Sequence, residues 1–232
     1  METVGTHEEG TAGAQPEMTE APQHDGARRP SPLGGRKPTR EDLARFAGVP
    51  ADALDDVLPG ADAPRLRLLI VGVNPGIWTA AVNAPFARPG NRFWPALVRA
   101  GLTDWQIDAS RGLAPADEAH LHERGIGITN LVGRATVRAD ELDRAELREG
   151  AARLVRLVAR VRPERVAIAG ITAYRLAFSA PKAVLGEQDT TTISGWPGGI
   201  PLWVVPQPSG LNAHETIDSL AEKWRAVMAQ GT

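Results

Sequence analysis

The sequence predicts an α/β domain of three layers, with helices on both faces of a mostly parallel central sheet. Two short apolar runs, Leu68-Leu69-Ile70-Val71 and Val166-Ala167-Ile168-Ala169, each end at a glycine, the pattern of strands buried on both faces. Residues 143–161 place Leu147, Leu154, Val155, Val158 and Val161 at helical spacing, with Pro163 just beyond the end. Strand and helix patterns then alternate along the chain, the order that packs helices on both sides of a parallel sheet.

The elements follow in order. Residues 1–38 hold no aromatic side chain and no apolar period, so they are expected to form a disordered tail ahead of a single domain at 39–232. Thr39 reads as the N-cap of a short helix, with Glu41 and Asp42 in its first turn and Gly48 and Pro50 past its end. A first strand is expected from about Arg67 to Val71. A helix from near Asn91 carries Phe93, Trp94, Leu97 and Val98 inward and stops at Gly101. Glu118 to Arg124 suggests a further helical turn. Arg165 to Gly170 reads as a second buried strand, followed by a helix at 172–178. Thr190 to Ile193 and Leu202 to Val205 flank the turn residues Gly195-Trp196-Pro197-Gly198-Gly199 and are expected as two strands. A helix at 215–229 closes the chain.

Composition sets further bounds. At 232 residues and 42% apolar content, the chain can bury one good core. The absence of cysteine excludes disulfides and thiolate metal clusters. The five histidines, His7, His24, His120, His122 and His214, include one close pair, whose two-residue spacing puts it on different faces of a helix. Neither a metal nor any other cofactor is therefore expected. With no run of eighteen apolar residues and no charged-then-apolar start, a soluble, cytoplasmic protein without membrane attachment is expected. Formal charge is −2, and the tail holds 6 acidic and 4 basic groups, which leaves 22 of each for the domain. A neutral domain can still bind a polyanion through one basic face, but composition cannot show such a face.

The first strand runs straight into Gly72-Val73-Asn74-Pro75-Gly76, leaving Asn74 at the C-terminal edge of the sheet, where ligands of open α/β sheets bind. This turn lacks the lysine and Ser/Thr of a phosphate loop and the G-x-G-x-x-G of a dinucleotide site, which disfavours a nucleotide-binding enzyme. Three other segments stand in order downstream: Ala84-Pro85-Phe86-Ala87-Arg88-Pro89-Gly90-Asn91-Arg92-Phe93-Trp94, Gly125-Ile126-Gly127-Ile128-Thr129-Asn130-Leu131-Val132, and Val204-Val205-Pro206-Gln207-Pro208-Ser209-Gly210-Leu211-Asn212. Jointly, from about Asp55 to Met228, they make the chain resemble the mismatch-specific uracil-DNA and thymine-DNA glycosylases, one branch of the uracil-DNA glycosylase superfamily.

That resemblance implies a monofunctional enzyme that flips a mispaired uracil out of duplex DNA and hydrolyses its N-glycosidic bond. It implies that Asn74 orients the attacking water, since a carboxamide is neither acid nor base near neutral pH. Phe86 would stack on the flipped base, with Gly72, Val73, Gly76, Thr79 and Asn130 lining its pocket and Thr79 beside C5. Leu211 would wedge into the vacated stack, while Ser209 and Gly210 grip phosphates. Gln207, Asn212 and His214 belong to the same loop; relatives carry Arg soon after it, where this chain has Asn212-Ala213-His214. Arg88, Asn91 and Arg92 would form a rim able to meet phosphates. The implied partner is double-stranded DNA with G:U or related mismatches, bound by a monomer, and the basic stretch from Arg28 to Pro38 offers a weak DNA tether. A glycosylase specialised for another deaminated base and an idle DNA-damage binding module are the competing readings; the retained Asn74 counts against the second.

Overall fold

The apolar run at Leu68–Gly72 is β1, buried at all five residues. In the computed structural model, which describes residues 28–47, 54–60 and 65–229, β1 lies between two parallel neighbours, β2 (Ile126–Asn130) and β3 (Val166–Ala169). β5 (Leu202–Val205) pairs parallel with β3, and β4 (Gly186–Gln188) closes that edge antiparallel, giving the order β2-β1-β3-β5-β4.

Side chains alternate between two cores, as the pleat requires. Leu68 and Ile70 face one layer with Phe93, Trp94 and Leu97 of α3 (Phe93–Ala100), Val82 of α2 (Ile77–Val82), Leu121 of α4 (Pro115–Glu123) and Trp224 of α7 (Ile217–Ala229). Leu69 and Val71 face the other, with Leu147, Leu154 and Val158 of α5 (Arg144–Val161) and Tyr174 of α6 (Ile171–Ala177). The three-layer expectation holds. Both faces of β1 are covered, which is why its sequence is apolar throughout.

The long helix α5 starts at a reciprocal capping box in which Asp143 accepts from the Glu146 N–H at 2.8 Å and Glu146 accepts from the Asp143 N–H at 3.0 Å. Midway, Gly150 lets the helix lie directly on the chain leaving β2: a Cβ there would stand 2.3 Å from the Leu131 carbonyl oxygen. The N-cap reading of Thr39 also holds, since α1 (Arg40–Arg45) begins with a Thr39/Asp42 box. Gly48 and Pro50 lie outside the described residues.

Two expectations are corrected. Thr190–Thr192 forms a 3-10 turn, not a strand, because the Asp189 carboxylate accepts from both the Thr191 N–H (2.9 Å) and the Thr191 hydroxyl (2.6 Å) and curls the chain. The strand opposite β5 is β4 instead, a three-residue segment too short and polar to read from sequence. The second correction concerns the 1–38 tail. Residues 1–27 lie outside the described residues, but 28–38 lie on the domain. Leu33 packs on the core, Arg36 forms a two-pronged ion pair with Asp42 at 2.5 and 2.8 Å, and Arg29 is paired with Asp55 at 2.7 Å. Composition gauges apolar burial, whereas this strap is held by charge-assisted hydrogen bonds.

Gly150→Ala is expected to lower stability by about 1–3 kcal/mol through overpacking, seen as a lower urea midpoint at unchanged slope. An unchanged midpoint would show that α5 can lift away from Leu131 at no cost.

Candidate functional site

The sheet switches direction between β1 and β3. The chain leaving β1 passes into α2 on one face, while the chain leaving β3 passes into α6 on the other, which opens a crevice at the carboxyl ends of the strands. The parallel register sets Gly72 opposite Asn130 at this edge. Their approach is close enough that a Cβ on Gly72 would meet Asn130 Oδ1 at 2.3 Å and Phe86 Cζ at 3.5 Å. Gly72, Asn130 and Phe86 are thus gathered around one point. The Phe86 ring is half-buried and stacks on Phe93 with centroids 3.8 Å apart and planes 22° off parallel. Its backbone is left-handed at φ 52°, an uncommon state for a bulky side chain.

Two residues past Gly72, Asn74 is pinned through its amide nitrogen. Nδ2 donates to Thr136 Oγ1 at 2.7 Å, to the Arg134 carbonyl at 3.0 Å and, more weakly, to the Pro75 carbonyl at 3.2 Å. Two of these partners are carbonyl oxygens, which only accept, so the orientation of the carboxamide follows from its surroundings. No described residue donates to Oδ1, which leaves it as the acceptor available to a ligand. The loop that supplies Thr136 and Arg134 is itself fixed. The Arg134 guanidinium meets Glu146 of α5 at 2.6 and 2.8 Å and the Glu141 carbonyl at 3.1 Å. The Arg134 hydrogen bonds, with help from the Asp143 N–H, hold the Glu146 carboxyl down at about 2. Thr136 was not visible as a site residue in the sequence. A threonine six positions after a strand carries no signal until folding sets it against Asn74.

The loop at 206–212 rises beside the crevice. Leu211 at its tip is 81% exposed, an unusual setting for a leucine. The loop is braced by Arg92, whose Nη1 donates to the carbonyls of Asn212 (2.7 Å) and Glu215 (2.8 Å), while Nη2 reaches that of Gly210 at 3.2 Å. The Arg92 main-chain N–H adds a bond to the Pro208 carbonyl at 2.9 Å. At Gly210 the loop comes so close to the preceding turn that a Cβ would lie 2.6 Å from the Gly90 carbonyl oxygen. Between the two turns runs a groove of about 270 Å³ lined by Arg88, Pro89, Gly90, Asn91, Ser209, Gly210 and Leu211.

The remaining residues named from the sequence separate by role. Arg88 is exposed, and its guanidinium has no hydrogen-bond partner among the described residues, although its carbonyl accepts from the Asn91 N–H at 3.0 Å. Asn91 uses its side-chain oxygen to accept from the Phe93 N–H at 2.9 Å, at the start of α3. Asn212 bonds the Gln207 carbonyl through Nδ2 (3.1 Å) and accepts from the His214 N–H at 3.2 Å, so its amide shapes the loop from within. Ser209 Oγ accepts from the Leu211 N–H at 3.3 Å, while the Gln207 and His214 side chains are exposed. Gly76 is exposed at the start of α2, and Thr79 is buried with Oγ1 taking a long bond of 3.4 Å from the Ala87 N–H. Val73 does not face the crevice. Its side chain is buried in the α5-side core, where the pleat turns it away from the crevice.

Arg92→Ala is expected to loosen the 206–212 loop without unfolding α3. Even one of the charge-assisted bonds it removes, about 1.5–3 kcal/mol, corresponds to roughly 10- to 100-fold faster opening, read as hydrogen exchange at the Asn212 and Glu215 amides. Unchanged exchange there would mean that the loop holds its shape without the guanidinium.

A family model described as the uracil DNA glycosylase superfamily matches residues 59–229, a span that includes every strand and all four segments of the crevice.

Proposed function

The chain belongs to the uracil DNA glycosylase superfamily, and from that premise we propose that it is a monofunctional glycosylase releasing mispaired uracil from duplex DNA. The observation that supports this reading most is the pinned Asn74 carboxamide, its Oδ1 without a donor among the described residues, two residues past the Gly72 that Asn130 and Phe86 approach. The reaction breaks the bond between C1′ of the sugar and N1 of uracil. The electron pair departs with the base as an anion, a water adds to C1′ of the oxocarbenium-like sugar, and the proton that this water releases goes through solvent to the base, leaving an abasic site and neutral uracil.

In this reading Asn74 Oδ1 accepts a hydrogen bond from the water and aims its lone pair at C1′. A carboxamide cannot take up the proton, so the gain comes from position. Phe86 receives the flipped base on its ring, a contact worth about 1–3 kcal/mol that tolerates many bases. Asn130 and main-chain groups near Gly72 and Gly76 meet its polar edge. Leu211 fills the vacated stack and so offsets part of the cost of flipping. Arg88, whose guanidinium has no partner among the described residues, meets phosphate directly. Arg92 instead acts through the loop, because four main-chain carbonyls already surround its guanidinium.

Asn74→Ala is expected to keep binding to a U:G duplex and to lose on the order of 10²-fold or more in single-turnover release, the scale of one positioned catalytic group. Thr136→Val, which removes one brace of the amide, should lose less, and Thr136→Ser should restore the rate. Equal release by wild type and Asn74→Ala would overturn the reading.

We further propose that uracil is preferred over thymine opposite guanine, with Thr79 as the wall against the C5 methyl. One methyl pressed on a stiff β-branched side chain is worth about 1–3 kcal/mol, or roughly 10- to 200-fold. Thr79→Ala is then expected to narrow the U:G to T:G ratio. Because its hydroxyl also meets the Ala87 N–H, Thr79→Val separates the wall from the hydrogen bond and should keep the ratio. An unchanged ratio in Thr79→Ala would remove Thr79 from the discrimination.

A further inference from the structure

Two non-glycine residues with left-handed backbone stand three positions apart on the approach to the base pocket, Asn83 at φ 49° and Phe86 at φ 52°. Asparagine visits that region readily, but a phenylalanine stays there only where its surroundings over-determine it. Part of the restraint is local. The Pro85 carbonyl accepts from Trp94 Nε1 at 3.2 Å, and the Phe86 ring lies on Phe93.

The rest comes from a segment ahead of the family-matched span. Asn83, 3% exposed at the C-terminal end of α2, uses its whole amide: Oδ1 accepts the Asp55 N–H at 2.9 Å, and Nδ2 donates to the Arg29 carbonyl at 2.8 Å and to Asp55 Oδ2 at 2.9 Å. Its own carbonyl accepts from the Arg28 guanidinium. Asp55, 7% exposed, also accepts from the Arg29 main-chain N–H at 2.7 Å and from Arg29 Nε at 2.8 Å. Burial works against the charge of Asp55, but the hydrogen bonds from Arg29 and Asn83 outweigh it and hold the carboxyl down at about 2. Two residues on, Val57 exchanges main-chain bonds of 2.8 and 2.7 Å with Ile128 in β2, the strand that presents Asn130 to the pocket.

One polar knot therefore joins three things: the strap at Arg28 and Arg29, the edge of β2, and the residue from which the Phe86 loop departs. We propose that Arg29, Asp55 and Asn83 are positioning residues that clamp the start of this loop and set the Phe86 ring over Gly72 and Asn130. The inference rests on the reading of Phe86 as the base-stacking residue. It assigns the strap a part in handling the base that is distinct from any contact with DNA.

The test uses Asn83→Gly in the full chain, which keeps the left-handed backbone without strain and removes only the amide. Arg29→Ala, at a side chain 55% exposed, serves as the variant least able to disturb folding. Amide exchange at 84–88 is expected to speed up in both variants, while exchange at 211–215 stays as in wild type. Single-turnover uracil release should fall by about 10- to 100-fold, the scale of a misplaced reacting group. The loss should be alike on duplex and single-stranded uracil DNA, and binding to an abasic duplex, which offers no base to stack, should be unchanged. Arg29→Lys should recover part of the rate.

Unchanged exchange at 84–88 in both variants overturns the clamp, and so does faster exchange with undiminished release. A wild-type protein that releases no uracil defeats the glycosylase reading instead; the exchange measurement then still decides whether the knot holds the loop.

Discussion

One amide nitrogen sets the orientation of a side chain at the carboxyl edge of the sheet. The Nδ2 atom of Asn74 faces two carbonyls and a hydroxyl, so the side chain has a single low-energy orientation and its oxygen points to the one side left open. Each acceptor has its own support. Arg134 is tied to the first turn of α5 by paired hydrogen bonds to Glu146, and the Thr136 main-chain N–H bonds the Pro75 carbonyl at 3.2 Å. The helix that looks like simple packing on the far face of the sheet is thus linked to Asn74 through a single residue, Arg134. A carboxamide that can neither take nor give a proton can act only through its orientation, and here that orientation is fixed.

Missing side chains decide how closely the parts of the site come together. Glycine at 72 admits Asn130 and Phe86 to one point, glycine at 210 sets the exposed-leucine loop on the Gly90 turn, and glycine at 150 seats α5 on the chain leaving β2. At all three, a Cβ would fall within 3 Å of its neighbour. Backbone and pocket are therefore nearly in contact, and the cost of any widening falls on packing that interiors do not readily yield.

Arginine dominates the basic residues of this chain, and many of its guanidinium groups serve the interior. Arg92 gathers the carbonyls of the 206–212 loop, Arg28 caps Asn83, Arg153 meets the Asn130 carbonyl, and Arg175 holds that of Ala183 with two nitrogens at 2.9 and 2.7 Å. A planar fork suits this task better than an ammonium, because it can satisfy several carbonyls from one direction at little entropic cost. Exposed Arg88 stands apart from this group. The contrast separates arginines that shape loops from one available to an anionic partner, a distinction hidden in a near-neutral composition.

The sequence by itself determined the layered fold, the buried strand at β1, the long helix α5, and the segments that meet at the crevice. Each is a local pattern, and local patterns express the covalent geometry of strand, helix and turn directly. It also left Asn74 just past the end of β1, at the carboxyl edge of the sheet. It could not show that Thr136 braces Asn74, that Arg92 braces the Leu211 loop, or that Val73 turns into the α5-side core. Nor could it show that residues 28–38 are tied down, since an Arg29–Asp55–Asn83 knot joins positions 26 and 28 residues apart and leaves no period in the chain. Those facts belong to tertiary structure alone. A hydrogen bond between distant residues is set by which backbone segments the sheet register brings side by side, and register is a property of the assembled fold.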